Sequence, residues 1–193
     1  MSTLGVRVAQ LAPAGAEPDV WEITYPWLEW TIDGVSLRSL YSPRPDDRVV
    51  TMLRARDDDD GPMRSENLLR LRGDALAPPR FAPRFHRTRL DRLLHLRGTP
   101  YAAEGTAFAD GRVGLLYCFC GDLGCGALST RIEAPAEAVT WRDIRWQVTN
   151  TVGAEDLVQE SPGDRDLTFD RTQYMALINH LLDADWSHGL PIV

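Results

Sequence analysis

Lysine is absent from this sequence, and both cysteine and long apolar runs are scarce. All 21 basic residues in the 193-residue chain are arginine, which a GC-rich coding bias explains together with the abundant Ala, Gly, Pro and Asp. No stretch approaches the roughly 20 apolar residues that a membrane span needs, and the N-terminus has no signal-peptide pattern. We therefore expect a cytoplasmic, globular protein with a single domain over residues 1–193.

The charge is acidic overall and unevenly distributed. Hydrophobic residues make up 44% of the chain, enough to form a core, and the net charge is −7. Residues 64–97 hold nine arginines and three acidic residues between two acidic flanks, but only Phe81 and Phe85 supply aromatic rings for base stacking. We expect these arginines to pair internally with the acidic flanks or to cover a helix surface, so no nucleic-acid or membrane binding is predicted.

The first half of the chain predicts one hairpin and two irregular segments. Asp33-Gly34 stands between apolar runs and is a strong turn signal, which places Ile32 opposite Val35 and Trp30 opposite Leu37. A helix after Gly34 is the alternative for residues 36–41. Two irregular segments are predicted, an acidic loop around residues 42–64 and a proline-rich segment around residues 75–83.

Two helices are predicted in the second half. Thr88 begins the first, which Gly98 ends, and His95 lies on its polar face. The second spans residues 169–182, with Asp170 as its N-cap. Its apolar stripe follows helical spacing, at Tyr174, Leu177, Ile178, Leu181 and Leu182. His180 points away from this stripe.

Residues 112–147 predict a three-stranded antiparallel meander, with strands at 112–120, 125–133 and 139–147. Placing Cys120 opposite Cys125 gives one apolar face, formed by the pairs Phe119–Gly126, Tyr117–Leu128, Leu115–Thr130 and Val113–Ile132. The opposite face then holds Leu116, Cys118, Cys120, Cys125, Ala127, Ser129 and Arg131. In the third strand the apolar parity changes after Trp141, which predicts a bulge near Arg142-Asp143.

The three cysteines are the candidate site. In the predicted register the sulfur atoms of Cys118, Cys120 and Cys125 converge, and soft thiolates favour zinc or iron–sulfur chemistry. Tetrahedral zinc needs a fourth ligand, for which the candidates are Asp122, His95, His180 and His188. Simple packing of the cysteines and a Cys120–Cys125 redox pair are the alternatives. Catalytic residues are not identified.

Three segments carry a family resemblance. Residues 120–127 read Cys-Gly-Asp-Leu-Gly-Cys-Gly-Ala, residues 139–144 form a Val-x-Trp strand, and residues 169–174 include Phe-Asp-Arg-x-x-Tyr. Together they resemble an uncharacterised, mainly actinobacterial family with a Cys-Gly-Asp-x-Gly-Cys-Gly hairpin. The resemblance implies no established activity. Cys118 lies two residues before Cys120, whereas some members of that family place a cysteine three residues before it.

We expect an α+β fold, mainly antiparallel, with the meander in its C-terminal half and a few helices packed on one face. Acidic charge, six tryptophans and the lack of a triad or zinc-protease motif favour a non-enzymatic interaction module with a protein partner, of the immunity or regulatory kind. The alternative is a small zinc-binding or thiol-redox protein that uses the three cysteines. A hydrolase or transferase with dispersed catalytic residues is the third hypothesis.

Overall fold

The computed structural model describes residues 1–9, 27–41, 49–51, 53, 60–74, 108, 110–118, 126–148, 157–158, 166–186 and 190–191. Within these ranges the chain has an α+β fold dominated by antiparallel sheet, which confirms the predicted fold class. The strands are β1 Leu4–Ala9, β2 Trp27–Ile32, β3 Val35–Ser36, β4 Val49–Val50, β5 Val113–Cys118, β6 Ala127–Glu133, β7 Ala138–Val148, β8 Leu157–Val158 and β9 Leu167–Asp170. The helices are α1 Leu37–Tyr41, α2 Asp60–Arg72 and α3 Arg171–Asp183.

The strands form two sheets in which neighbouring strands are antiparallel. One sheet has the order β1–β2–β3, and the other has the order β4–β5–β6–β7–β8, with β9 paired to the first half of β7. Strands β5, β6 and β7 form the predicted meander. The sheets meet where Ser2 bridges Phe169, and the Ser2 N–H donates to the Thr168 carbonyl at 2.8 Å.

Asp33 and Gly34 form the predicted hairpin turn between β2 and β3. Both residues have positive φ, 51° and 80°, as a type I′ turn requires, and Asp-Gly is favoured there. Ile32 pairs with Val35 as predicted. The strand pairing predicted for Leu37 is wrong, because Leu37 begins α1, the alternative considered for this segment.

The predicted bulge in β7 is confirmed. Between the pairs Ser129–Arg145 and Arg131–Arg142, two residue steps of β6 lie opposite three of β7. The bulged strand includes Asp143 at a φ of 52°. The extra residue reverses the alternation, so that residues on both sides of it reach the main core, among them Val139, Trp141, Ile144 and Trp146.

The predicted register of the β5–β6 hairpin is wrong. Tyr117 lies opposite Ala127 instead of Leu128, a displacement of one residue. An irregularity follows Gly114, and on its other side the displacement is two residues, so that Val113 lies opposite Thr130 instead of Ile132. This irregularity allows both consecutive leucines of β5 to pack in the main core. Strict alternation, on which the predicted register depended, therefore fails in this strand.

Helix α3 confirms the predicted apolar stripe. It begins at Arg171, slightly later than predicted, because Phe169 belongs to β9. The Asp170 carboxylate caps the helix by accepting a hydrogen bond from the Gln173 backbone N–H at 2.9 Å. The stripe consists of the buried residues Tyr174, Ile178 and Leu181 and the partly buried Leu177 and Leu182.

The acidic loop predicted around residues 42–64 is wrong in part, because this segment contains strand β4 and the start of helix α2. The helix includes residues 60–64 and β4 includes Val49–Val50. Pro62 is compatible with α2 because it lies in the first turn, where backbone N–H groups have no acceptor within the helix. Leu68 and Leu71 anchor the helix, since both are fully buried in the main core.

Two predicted segments lie outside the described residues. These are the proline-rich segment at 75–83 and the helix that begins at Thr88. Both stay predictions.

An aromatic cluster joins the two sheets and the helices at the centre of the main core. The Trp141 ring lies edge-on to the rings of Trp30, Phe169 and Tyr174, with centroids 6.4, 5.1 and 6.4 Å away. Trp141 Nε1 donates to the Tyr174 hydroxyl at 3.1 Å, and that hydroxyl donates to the Leu71 carbonyl at 2.8 Å. Burial raises the pKa of Tyr174 far above its ordinary value, which keeps the phenol neutral. These tryptophans therefore stabilise the core.

Candidate functional site

The predicted cysteine site is only partly within the described residues. Cys118 is the last residue of β5, and its backbone lies opposite Val49 of β4. Cys120 and Cys125 lie outside the described ranges, so the convergence of the three sulfur atoms stays a prediction. Among described residues, no group of three His, Cys, Asp or Glu side chains is placed to hold a metal ion. Of the predicted fourth ligands, His180 is exposed on α3, and the others lie outside the described ranges: Asp122, His95 and His188.

The observed β5–β6 register changes which side chains share a face with the predicted cysteine site. Leu116 and Ala127 were assigned to the cysteine face together. Leu116 instead packs in the main core, whereas Ala127 packs with Phe108 and Tyr117 in a separate small cluster. Leu116 and Ala127 therefore lie on opposite faces of the sheet, and the prediction that they share one is wrong.

A buried arginine that the sequence pattern did not single out holds the β7 bulge. The Arg112 side chain, just before β5, is fully buried. Its Nε donates to Ser129 Oγ at 3.0 Å, and its Nη1 donates to Asp143 Oδ2 at 2.7 Å. Its Nη2 donates to the backbone carbonyls of both residues. The guanidinium thus binds β6 and the bulged residue of β7 at once.

Further charges surround this guanidinium and balance it. Asp143 Oδ2 lies 3.4 Å from Arg145, and Asp110 lies 3.6 Å from Arg145 and 3.9 Å from Arg131. Burial, and next the nearby Arg145, lower the pKa of Arg112, while Asp143 and Asp110 oppose the shift. An arginine remains charged at neutral pH even so. The arrangement is an internal ion network that stabilises an irregular part of the sheet.

Glu29 is a second buried ion on the small sheet. Its carboxylate on β2 is 1% exposed, and Oε2 accepts from Arg7 Nε of β1 at 2.9 Å. Oε1 lies 3.3 Å from Arg38 Nε of α1. Because two cations neutralise this buried carboxylate, it ties β1 and α1 to β2.

A buried polar triad lies beside the separate small cluster. Asn67 Nδ2 of α2 donates to the Gly114 carbonyl and to the Tyr117 hydroxyl, both at 2.9 Å. The Tyr117 hydroxyl donates to the same carbonyl at 3.0 Å. Burial, and next the nearby Glu66, raise the pKa of Tyr117 far above its ordinary value, so the phenol stays neutral. This triad fastens α2 to β5.

The basic segment at residues 64–97 pairs internally wherever it is described. Arg64 stacks over the Trp186 ring at 4.2 Å from its centroid. Arg70 pairs with Glu66 at 2.8 Å, and Arg72 pairs with Asp74 at 2.5 Å. Glu66 and Asp74 belong to the basic segment itself, so these two pairs are not the predicted pairing with the acidic flanks. The other six arginines of the segment lie outside the described ranges.

The edge of β1 that faces away from β2 differs from these internal networks. The Thr3 carbonyl accepts a hydrogen bond from Asp33 of the β2–β3 turn at 2.9 Å, whereas the Ser2 N–H points the other way, to Thr168. Backbone groups alternate in direction along a strand. The residues of β1 whose backbone groups point away from β2 are therefore Leu4, Val6 and Val8.

We call the backbone N–H and carbonyl groups of Leu4, Val6 and Val8 the outer edge of β1. In the described part of the chain they have no backbone hydrogen-bond partner. The Val8 side chain is 65% exposed, while Leu4 and Val6 are partly buried against the main core. The outer edge therefore combines backbone groups that no described residue bonds with an apolar side chain that is exposed.

No helix among the described residues is long and apolar enough to cross a lipid bilayer. In comparisons with known proteins, this chain matches no family model, no curated protein and no solved structure.

Proposed function

We propose that this chain is a non-enzymatic, cytoplasmic interaction module whose protein partner adds a strand to the outer edge of β1. The proposal is supported by the backbone N–H and carbonyl groups of Leu4, Val6 and Val8, which point away from β2. No backbone group in the described part of the chain forms a hydrogen bond with them. An extended segment that pairs with such an edge gains main-chain hydrogen bonds without any rearrangement of the sheet.

β1 has few of the features that protect an edge strand from pairing. Protected edges carry exposed charges, proline or a bulge. β1 has six residues, none of them proline, and it pairs with β2 in a continuous register. Its single charge, Arg7, is half exposed, but it is bound to the buried Glu29. The edge thus remains suited to strand addition.

The side chains of β1 indicate what the added strand carries. Leu4, Val6 and Val8 lie on one face of the sheet, because alternate residues share a face. Val8 is the exposed member. We expect a partner segment in which alternate residues are apolar, so that one of them covers Val8.

Proline at residue 8 tests this proposal. A stoichiometric partner is expected to co-purify with the full chain from the native organism, to be lost with Val8→Pro and to be kept with Val8→Thr. Proline removes the outward N–H but no hydrogen bond to β2, whereas threonine keeps the N–H and the β-branched shape. Quantitative mass spectrometry measures recovery, and hydrogen exchange of the Leu4, Val6 and Val8 amides is expected to slow in the complex. Equal recovery by both variants would contradict the proposal.

The cysteine cluster supports an alternative proposal, a small zinc-binding protein. All three cysteines of the chain lie within residues 118–125, and the resemblance of residues 120–127 to the cysteine-hairpin family rests on the same segment. Cytoplasmic thiols remain reduced and available for a metal. A redox pair formed by Cys120 and Cys125 is the variant of this proposal that needs no metal.

Metal analysis decides the alternative. Protein purified under reducing conditions is expected to hold about one equivalent of zinc, which Cys118→Ser, Cys120→Ser or Cys125→Ser each removes. His180→Ala, a change at an exposed residue of α3, tests one proposed fourth ligand. Less than about a tenth of an equivalent would exclude a structural zinc site. If the three thiols in the same sample react no faster than the thiol of an ordinary free cysteine, the redox pair is excluded as well.

A further inference from the structure

We propose that a second copy of this chain is a partner of the outer edge, with β1 pairing antiparallel to β1 of the other copy and Val6 on the two-fold axis. This inference rests on the proposed function, because it needs an outer edge that accepts a strand. Two three-stranded sheets then become one continuous sheet across the axis. Isologous pairing of this kind is the commonest form of a symmetric dimer.

The backbone restricts the registers that are available. Only registers that place outward residues opposite one another form hydrogen bonds. In each of these registers one residue of β1 lies on the two-fold axis, opposite its own copy. Within β1 this central residue is Gly5, Val6 or Arg7. A centre at Gly5 sets Val8 opposite Ser2, whose N–H already donates to Thr168 of β9. That register therefore loses its outermost pair.

Charge excludes the register centred on Arg7. Residues that face each other at a non-hydrogen-bonded position of an antiparallel pair have Cα atoms about 4.5 Å apart. Two Arg7 side chains would then be directly opposed, and like charges in that position are destabilising. The register centred on Val6 instead places Arg7 opposite Gly5, which has no side chain, so that Arg7 keeps its contact with Glu29.

The register centred on Val6 also satisfies the apolar face. Val6 faces its own copy, and Leu4 faces Val8, so each outward residue exchanges two hydrogen bonds with its opposite. The exposed Val8 side chain is covered by Leu4 of the other copy, and the apolar residues of both strands become continuous. Backbone, charge and apolar surface thus select the same register.

Sedimentation of the full chain tests the pairing. We expect the wild-type chain and Val8→Thr to be dimers, and Val8→Pro to be a monomer with an apparent Kd raised at least about tenfold, because two symmetric hydrogen bonds are lost. Thermal unfolding at a concentration where every variant is monomeric shows whether Val8→Pro still folds. A dimer that persists in folded Val8→Pro overturns the proposal.

Disulfide trapping tests the register separately and does not depend on proline. Opposed residues of a hydrogen-bonded pair lie about 5.5 Å apart at Cα, within disulfide range, so Val6→Cys is expected to link to its own copy. Arg7→Cys is the matched control and is expected to link poorly, because two copies of residue 7 are not opposed. Mass spectrometry identifies the linked peptide apart from the native cysteines. Preferential linkage of Arg7→Cys overturns the register.

The outcomes separate this inference from the proposed function. A wild-type chain that is monomeric at high concentration, yet retains another partner that Val8→Pro loses, overturns only the pairing of two copies. Partner recovery that is unaffected by Val8→Pro overturns the proposed function, and the pairing of two copies falls with it.

Discussion

Replacing Arg112 with methionine is expected to lower the free energy of unfolding by about 3–5 kcal/mol, because several oxygen atoms of the sheet lose the donor that satisfies them, at about 1–3 kcal/mol each. The guanidinium is fully buried and binds Ser129 and Asp143 through side-chain and backbone oxygen atoms. Methionine fills similar space but donates no hydrogen bond. Asp143 would then lose its closest cation at the point where β7 bulges.

Arg142→Met is the matched control. Arg142 lies next to the bulge and pairs with Glu133 at 2.6 Å and with Asp166, but it is exposed. Solvent screens such pairs, so its replacement is expected to have a much smaller effect. Urea unfolding of both variants, followed by circular dichroism, gives the comparison. Equal losses of stability would show that burial of Arg112 is not what makes its ion network important.

Gly114→Ala is expected to destabilise the fold by about 1–3 kcal/mol, the usual cost of placing an extra group in a packed interior. A Cβ at residue 114 would overlap the Tyr117 Cζ and Oη and would lie 2.6 Å from its Cε1. The ring has little freedom to withdraw, because its hydroxyl is bound to the Gly114 carbonyl and to Asn67. The close approach therefore requires glycine.

A double-mutant cycle shows whether this clash is the cause. In a Tyr117→Leu background the ring atoms that approach residue 114 are absent, so Gly114→Ala is expected to cost much less there. Thermal and urea unfolding of the two single variants and the double variant supply the coupling free energy. An unchanged cost in the leucine background would assign the effect to the backbone of β5 and not to the ring.

Local features of the fold were predictable because they depend on residues that are close in the sequence. The Asp33-Gly34 turn follows from backbone conformations that these residue types tolerate. The Asp170 cap follows from one side chain and the backbone N–H groups just after it. The bulge near Asp143 was predictable for a similar reason, since a change of apolar parity within one strand needs an extra residue.

Features that depend on distant residues were not predictable in this way. Asp60 and Pro62 favour a loop by their local preferences, yet both belong to α2, which is anchored by Leu68 and Leu71 in the main core. Arg112 gave no signal, because its partners come from strands whose register was predicted incorrectly. The triad that includes Tyr117 was missed because Asn67 belongs to α2, a helix that the sequence did not predict.

By itself, the sequence determined the α+β class, the meander, the turn, the cap and the bulge, because each depends on short-range backbone preferences or on the alternation of apolar residues. Only the tertiary structure decided the β5–β6 register, the burial of Arg112 and Glu29, and the side of β1 on which no described backbone group bonds Leu4, Val6 or Val8. These properties depend on which strand or helix lies against each residue. The irregularity after Gly114 changes the register by one residue within β5, and a shift of one residue exchanges the two faces of a sheet.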